Sequence, residues 1–140
     1  MAGLDARDLV AHGPFAVEGG RRALRQLLAL DEPPTGVICS SDVMAIGALQ
    51  EALRQGLRVP EDLSTVGFDG IDACTWSVPP LTTVEQPIGE IAETAVDVLQ
   101  TLIREPHAAL PNYLFRPRIK VRASTATPAR SRRRRVAVRD

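Results

Sequence analysis

The 140-residue chain is the size of one ordinary domain, is 44% hydrophobic, and carries 17 basic and 17 acidic side chains. No apolar run approaches the roughly 20 residues that a membrane helix needs, and the opening MAGLDARDLVAHGPF holds no secretory apolar segment. A membrane role is thereby excluded and a cytoplasmic location expected. The zero net charge hides a split, because residues 130–140 hold six Arg against one Asp while residues 1–129 hold eleven basic and sixteen acidic groups. An acidic body is a poor surface for phosphate backbones. The run Ser131-Arg132-Arg133-Arg134-Arg135 reads as a disordered tail over 129–140, with nucleic-acid contact as the other reading.

Strand and helix signals alternate along the chain, as in a mostly parallel sheet covered by helices. Asp8 to Phe15 reads as a short strand and turn. Val17, Ala23, Leu24, Leu27 and Leu28 fall at helical spacing within Ala16 to Leu30. Asp31-Glu32-Pro33-Pro34 ends that helix, since Pro lacks an N–H and disfavours a helical predecessor. Thr35 to Cys39 is a short buried strand, and Ser41 or Asp42 caps a helix running to about Gln55. Leu63 to Phe68 is the next strand, ending in the acidic turn Asp69-Gly70-Ile71-Asp72. Leu81 to Val84 is another, closed by Gln86-Pro87. Ile88, Ile91, Ala92, Ala95, Val98, Leu99, Leu102 and Ile103 make one apolar face of a helix from Ile88 to Arg104. Tyr113 to Phe115 and Ile119 to Val121 read as two short strands.

Catalytic constellations are lacking. His12 and His107 are isolated, Cys39 and Cys74 form neither a metal pattern nor a disulfide framework, and Ser40-Ser41 lacks the glycines of a nucleophile elbow. Cys39 packs as a small hydrophobe and Cys74 lies in a loop. Asp42, Asp69 and Asp72 at strand ends suggest a phospho-acceptor site, but Lys120, the sole Lys, stands too late in the chain to serve one. An enzyme is not expected, nor any metal or other cofactor. What the strand ends do offer is Asp and Gln hydrogen-bonding groups at the carboxyl edge of a sheet, where open α/β folds bind ligands.

Four segments carry a family resemblance. Pro34-Thr35-Gly36-Val37-Ile38-Cys39-Ser40-Ser41-Asp42-Val43-Met44-Ala45-Ile46-Gly47 is followed by Val59-Pro60-Glu61-Asp62 with Ser64-Thr65-Val66-Gly67-Phe68-Asp69. Next come Pro80-Leu81-Thr82-Thr83-Val84-Glu85-Gln86-Pro87 and the closing Val121-Arg122-Ala123-Ser124-Thr125. In this order and spacing, over about residues 4–128, they resemble the effector-binding core of LacI/GalR-type bacterial transcription regulators.

The resemblance implies an α/β fold, a partial type I periplasmic-binding-protein fold with an incomplete two-lobed core. Residues 1–87 would belong to the C-terminal lobe without its first strand and helix, 88–115 to the N-terminal lobe, and 116–128 to a return into the C-terminal lobe. The helix-turn-helix, the hinge and an effector-contacting Arg have no counterpart here, so the chain reads as a truncated or mis-started member. The implied ligand is a sugar or nucleoside-like effector held by Phe15, Ser41, Asp69 and Gln86. Phe15 would stack on its ring, Ser41 stands where relatives carry an effector-binding Asn, and Asp69 and Gln86 would bond its hydroxyls. Ser41 reads first as a helix cap and Phe15 equally as core. The parent would be a homodimer, with Ile46, Leu49 and Trp76 as interface candidates, though helix core is the plainer role for Ile46 and Leu49. Operator DNA would be reached only through the missing N-terminal domain, with no membrane partner. A sugar-binding transport component of the same fold, and a non-functional remnant, are the alternatives.

Overall fold

A computed structural model describes residues 9–128; the Arg-rich tail expected over 129–140 lies outside them. The elements run α1 (Val17–Leu28), β1 (Gly36–Ile38), α2 (Asp42–Arg54), β2 (Ser64–Asp69), α3 (Ala73–Trp76), β3 (Thr82–Glu85), α4 (Ile88–Arg104) and β4 (Arg118–Lys120). The strands form one sheet in the order β1-β2-β3-β4. β1 pairs with β2 and β2 with β3 in parallel, while β4 runs antiparallel to β3. The expected α/β sheet of mostly parallel strands is therefore the one observed.

The main core lies where α1 and α2 meet the sheet. Leu24, Leu28, Val37, Ala48, Leu49, Ala52, Val59 and Leu63 pack into one buried cluster, and burial of this kind is the main favourable term in folding. The two helices come into near backbone contact, because a side chain at Gly20 would overlap the Met44 carbonyl and one at Gly47 the Val17 carbonyl. Across this contact Glu51, 1% exposed, is gripped by Arg25 Nη1 at 3.2 Å and by Arg54 Nη2 at 2.8 Å. The Arg54 hydrogen bond leads the effects that pull its carboxyl down to about 2, against the opposing cost of burial.

The closing Arg-x-Ser-Thr motif has a structural task. Ser124 Oγ donates to the Thr65 carbonyl at 2.6 Å and accepts from the Thr82 amide at 2.8 Å. The Thr65 amide in turn donates to the Ser124 carbonyl. Arg122 reaches the Leu81 carbonyl through Nη1 at 2.7 Å. One short segment thus ties β2 to β3 at the starts of both strands and satisfies backbone groups that burial would otherwise orphan.

Several expectations change. Residues 9–15 form no strand and pair with no other strand of the sheet; Leu9 to His12 instead line a 360 Å³ recess together with residues of α1, β1 and α2. A ladder needs a neighbour at hydrogen-bonding distance. Tyr113 to Phe115 form no strand either; their rings stack at 6.5 Å across the exposed segment. The last strand is Arg118–Lys120 rather than Ile119 to Val121. Cys74 lies not in a loop but in the short helix α3, fully buried against Ala45 and Leu81. Helix α4 has the expected bounds, yet none of its residues is buried, and Ile88, Val96, Leu99 and Ile103 face solvent. No described helix is long and apolar enough to cross a membrane.

Candidate ligand-binding cleft

The carboxyl ends of β2 and β3 converge because the two strands run parallel in register, with Asp69 opposite Glu85. Asp69 closes β2 at φ 128°, a backbone conformation non-glycine residues rarely adopt and one that the surroundings must impose. Gln86 is the next residue after β3. Its amide nitrogen donates to the Asp69 carbonyl at 3.2 Å, and its side-chain Nε2 donates to Asp69 Oδ1 at 3.0 Å. Both side chains are half-buried. Asp69 Oδ2 has no hydrogen-bond partner among the described residues and remains available as a charged acceptor.

These two residues open onto a cleft of about 1080 Å³. It is lined as well by the start of α4, Ile88 to Glu90, and by the segment Leu114 to Arg118. The cleft mixes carboxylates with the guanidinium groups of Arg116 and Arg118 and the ring of Phe115. Its chemistry suits a polar molecule with a flat or apolar face. The Arg pair was not anticipated; the run Arg116-Pro117-Arg118 carried no pattern that tied it to the strand ends.

The structure brings together two of the four expected ligand residues. Ser41 is buried, and its Oγ accepts from the Met44 amide at 3.3 Å as the N-cap of α2. Phe15 is 75% exposed at the turn before α1 and packs into no core. Neither lines the cleft. Of the interface candidates, Trp76 on α3 is 77% exposed, and Ile46 packs against the cluster of Ala45, Cys74 and Leu81. Leu49 is 1% exposed inside the main core, so as an interface residue it offers a partner no surface.

A third acid shapes the site from beneath. Asp42, the first residue of α2, is 0% exposed. Its Oδ2 accepts from the Gly70 amide at 2.7 Å and the Ile71 amide at 2.9 Å, and its Oδ1 from the Thr83 hydroxyl. Gly67 lies against this carboxylate, where any side chain would overlap Asp42 Oδ1. Burial first, then the hydrogen bond to Asp42, pushes the Cys74 thiol up to about 12, and burial takes Cys39 to about 11. Both are protonated and poor nucleophiles near neutral pH. Among the described residues no group of three His, Cys, Asp or Glu could hold a metal ion.

Comparison with known proteins agrees with this architecture. The model of the periplasmic binding protein-like domain matches residues 1–125. The HTH-type transcriptional repressor CytR of Escherichia coli (strain K12) is 47% identical over 116 residues, covering 83% of this chain and 34% of that protein. The chain thus spans about a third of the curated relatives it matches. A LacI family transcriptional regulator from Enterococcus faecium with bound ribose is 35% identical, at a TM-score of 0.72 over 80% of this chain and 41% of that one. The transcriptional regulator CelR in complex with cellobiose is 30% identical, at a TM-score of 0.80 over 86% of this chain and 37% of that one. The chain belongs to the family of periplasmic binding protein-like domains, and its relatives are LacI-type transcriptional regulators.

Proposed function

We propose that the chain forms the C-terminal part of the effector-sensing core of a LacI-type transcriptional regulator, and that its ligand is a sugar or a similarly polar small molecule. The observation that carries this reading is the Asp69–Gln86 pair at the ends of two parallel strands, facing the cleft. An ionised carboxylate and an amide offer the acceptors and donor that ring hydroxyls need. Ribose and cellobiose bound to the two related regulators support this ligand class.

In this reading residues 1–87 and 116–128 belong to one lobe and residues 88–115 to the other. The solvent-facing apolar side of α4 fits a helix that packs on a lobe supplied by further chain. Phe15 and Ser41 join the ligand only with that lobe in place. Trp76, exposed on α3, and the neighbouring Ile46 form the dimer contact. The activity is regulatory rather than enzymatic, needs no cofactor, and takes place in the cytoplasm. Ligand between the lobes favours one closure over another and so biases operator binding by a separate DNA-reading domain.

Thermal-shift and calorimetric titration with ribose and cellobiose test the reading. Binding of at least one sugar, lost in Asp69→Ala, supports it; equal affinity in that variant refutes the role of Asp69.

A further inference from the structure

Asp69 cannot hold its backbone unaided. Residues outside glycine at φ 128° persist where neighbours over-determine the geometry. The two amides that follow, Gly70 and Ile71, both point at one oxygen of Asp42. The other oxygen takes the hydroxyl of Thr83, on the strand next to β2. Asp42 therefore reaches the turn after β2, the Thr83 hydroxyl on β3 and the Cys74 thiol on α3 while fully buried, and Gly67 has no side chain where that carboxylate sits. A helix cap would need none of this, and the capping of α2 is already done by Ser41.

We propose that Asp42 is the positioning residue of the cleft: it pins the Asp69-Gly70-Ile71 turn from below and so aims the Asp69 carboxylate at the ligand. The assignment rests on the reading that Asp69 binds the ligand, and it adds a residue that never touches that ligand. The buried carboxylate acts as a template whose two oxygens accept from both turn amides and from the Thr83 hydroxyl. Without it, two amides lose their acceptor and the turn relaxes toward ordinary extended backbone. Asp69 then turns away from the cleft, although its own side chain is intact.

Two measurements on the 140-residue chain test this, with Asp42→Ala, Asp42→Asn and Gly67→Ala. In the absence of ligand, the HN–Hα coupling of Asp69 and the exchange protection of the Gly70 and Ile71 amides are read by NMR. The small coupling of the positive-φ state and the protection are expected to vanish in Asp42→Ala and Gly67→Ala. Asp42→Asn is expected to retain both, since its oxygen still accepts from the two amides and its nitrogen donates to Thr83. Titration with ribose and with cellobiose then gives affinities. Asp42→Ala is expected to weaken binding about tenfold or more, as the Asp69 contact is lost, and to add nothing to the loss caused by Asp69→Ala in the double variant. Asp42→Asn is expected to bind as the wild type does.

Wild-type coupling, protection and affinity in Asp42→Ala would overturn the proposal. So would an altered turn with unchanged affinity, because Asp42 would then be structural alone. If the wild type binds neither sugar, the proposed ligand class fails, while the coupling and protection still decide whether Asp42 holds the turn. Should Asp42→Ala prove unfolded by circular dichroism, Gly67→Ala carries the same comparison, since it displaces the carboxylate without removing it.

Discussion

Gln86 Nε2 donates to Asp69 Oδ1 at 3.0 Å, tying together the carboxyl ends of two parallel strands at the mouth of the cleft. Both partners are half-buried, so water can replace either of them. Gln86→Ala is expected to cost only about 0.5–1.5 kcal/mol of stability, the net worth of one hydrogen bond. Urea denaturation measures this, and a loss well above that range would mean that the bond is structural rather than a poised ligand contact.

Two buried residues that hydrogen-bond to each other through their backbones, Ser124 and Thr65, make opposite predictions. Ser124→Ala removes the acceptor of the Thr82 amide and the donor to the Thr65 carbonyl, both buried. Leaving such groups unpaired costs about 1–3 kcal/mol each. Thr65 Oγ1, by contrast, is buried without a partner among the described residues. Thr65→Val keeps the shape and removes the orphaned hydroxyl, so it is expected to be neutral or stabilising by up to about 1 kcal/mol. Chemical denaturation of the two variants separates the effects.

Glu51 makes stability depend on pH. Its carboxyl is held at about 2, below the ordinary 4.5, so the folded state binds its proton less tightly than the unfolded state does. The stabilisation it confers is fully present above about 4.5 and is lost as pH falls toward 2. The urea midpoint is expected to fall through that window in the wild type. Glu51→Gln is expected to be less stable at pH 7 and to show a flatter dependence below 4.5.

Helix α4 presents Ile88, Val96, Leu99 and Ile103 to solvent. An apolar stripe of this length promotes self-association. Light scattering is expected to show a concentration-dependent increase in mass, reduced in Val96→Glu/Leu99→Glu/Ile103→Glu. The melting temperature of the triple variant is expected to stay close to that of the wild type, because α4 contributes no buried residue.

The elements legible in the sequence were those with local signals. The apolar spacing of Ile88 to Arg104 and the Ser41 cap of α2 placed both helices within a residue of their observed limits. Asp69 and Gln86 were legible because they stand where strands end, a position that carries chemistry in open α/β sheets. What was not legible depended on distant partners. The short strand and turn expected over Asp8 to Phe15 needed a neighbouring ladder, and β1 pairs with β2 alone. The service of Asp42 to Gly70, Ile71 and Thr83 spans 28, 29 and 41 residues, so nothing near Asp42 distinguished it from a second capping residue.

Binding of a sugar at the ends of β2 and β3 is measured by titrating the isotopically labelled chain with ribose and with cellobiose and following its backbone amide spectrum. Saturable shifts are expected to concentrate at Asp69, Gly70, Ile71 and Gln86 and to disappear in Asp69→Ala. Saturable shifts that leave those four residues untouched, or no shift with either sugar, would contradict binding at that site.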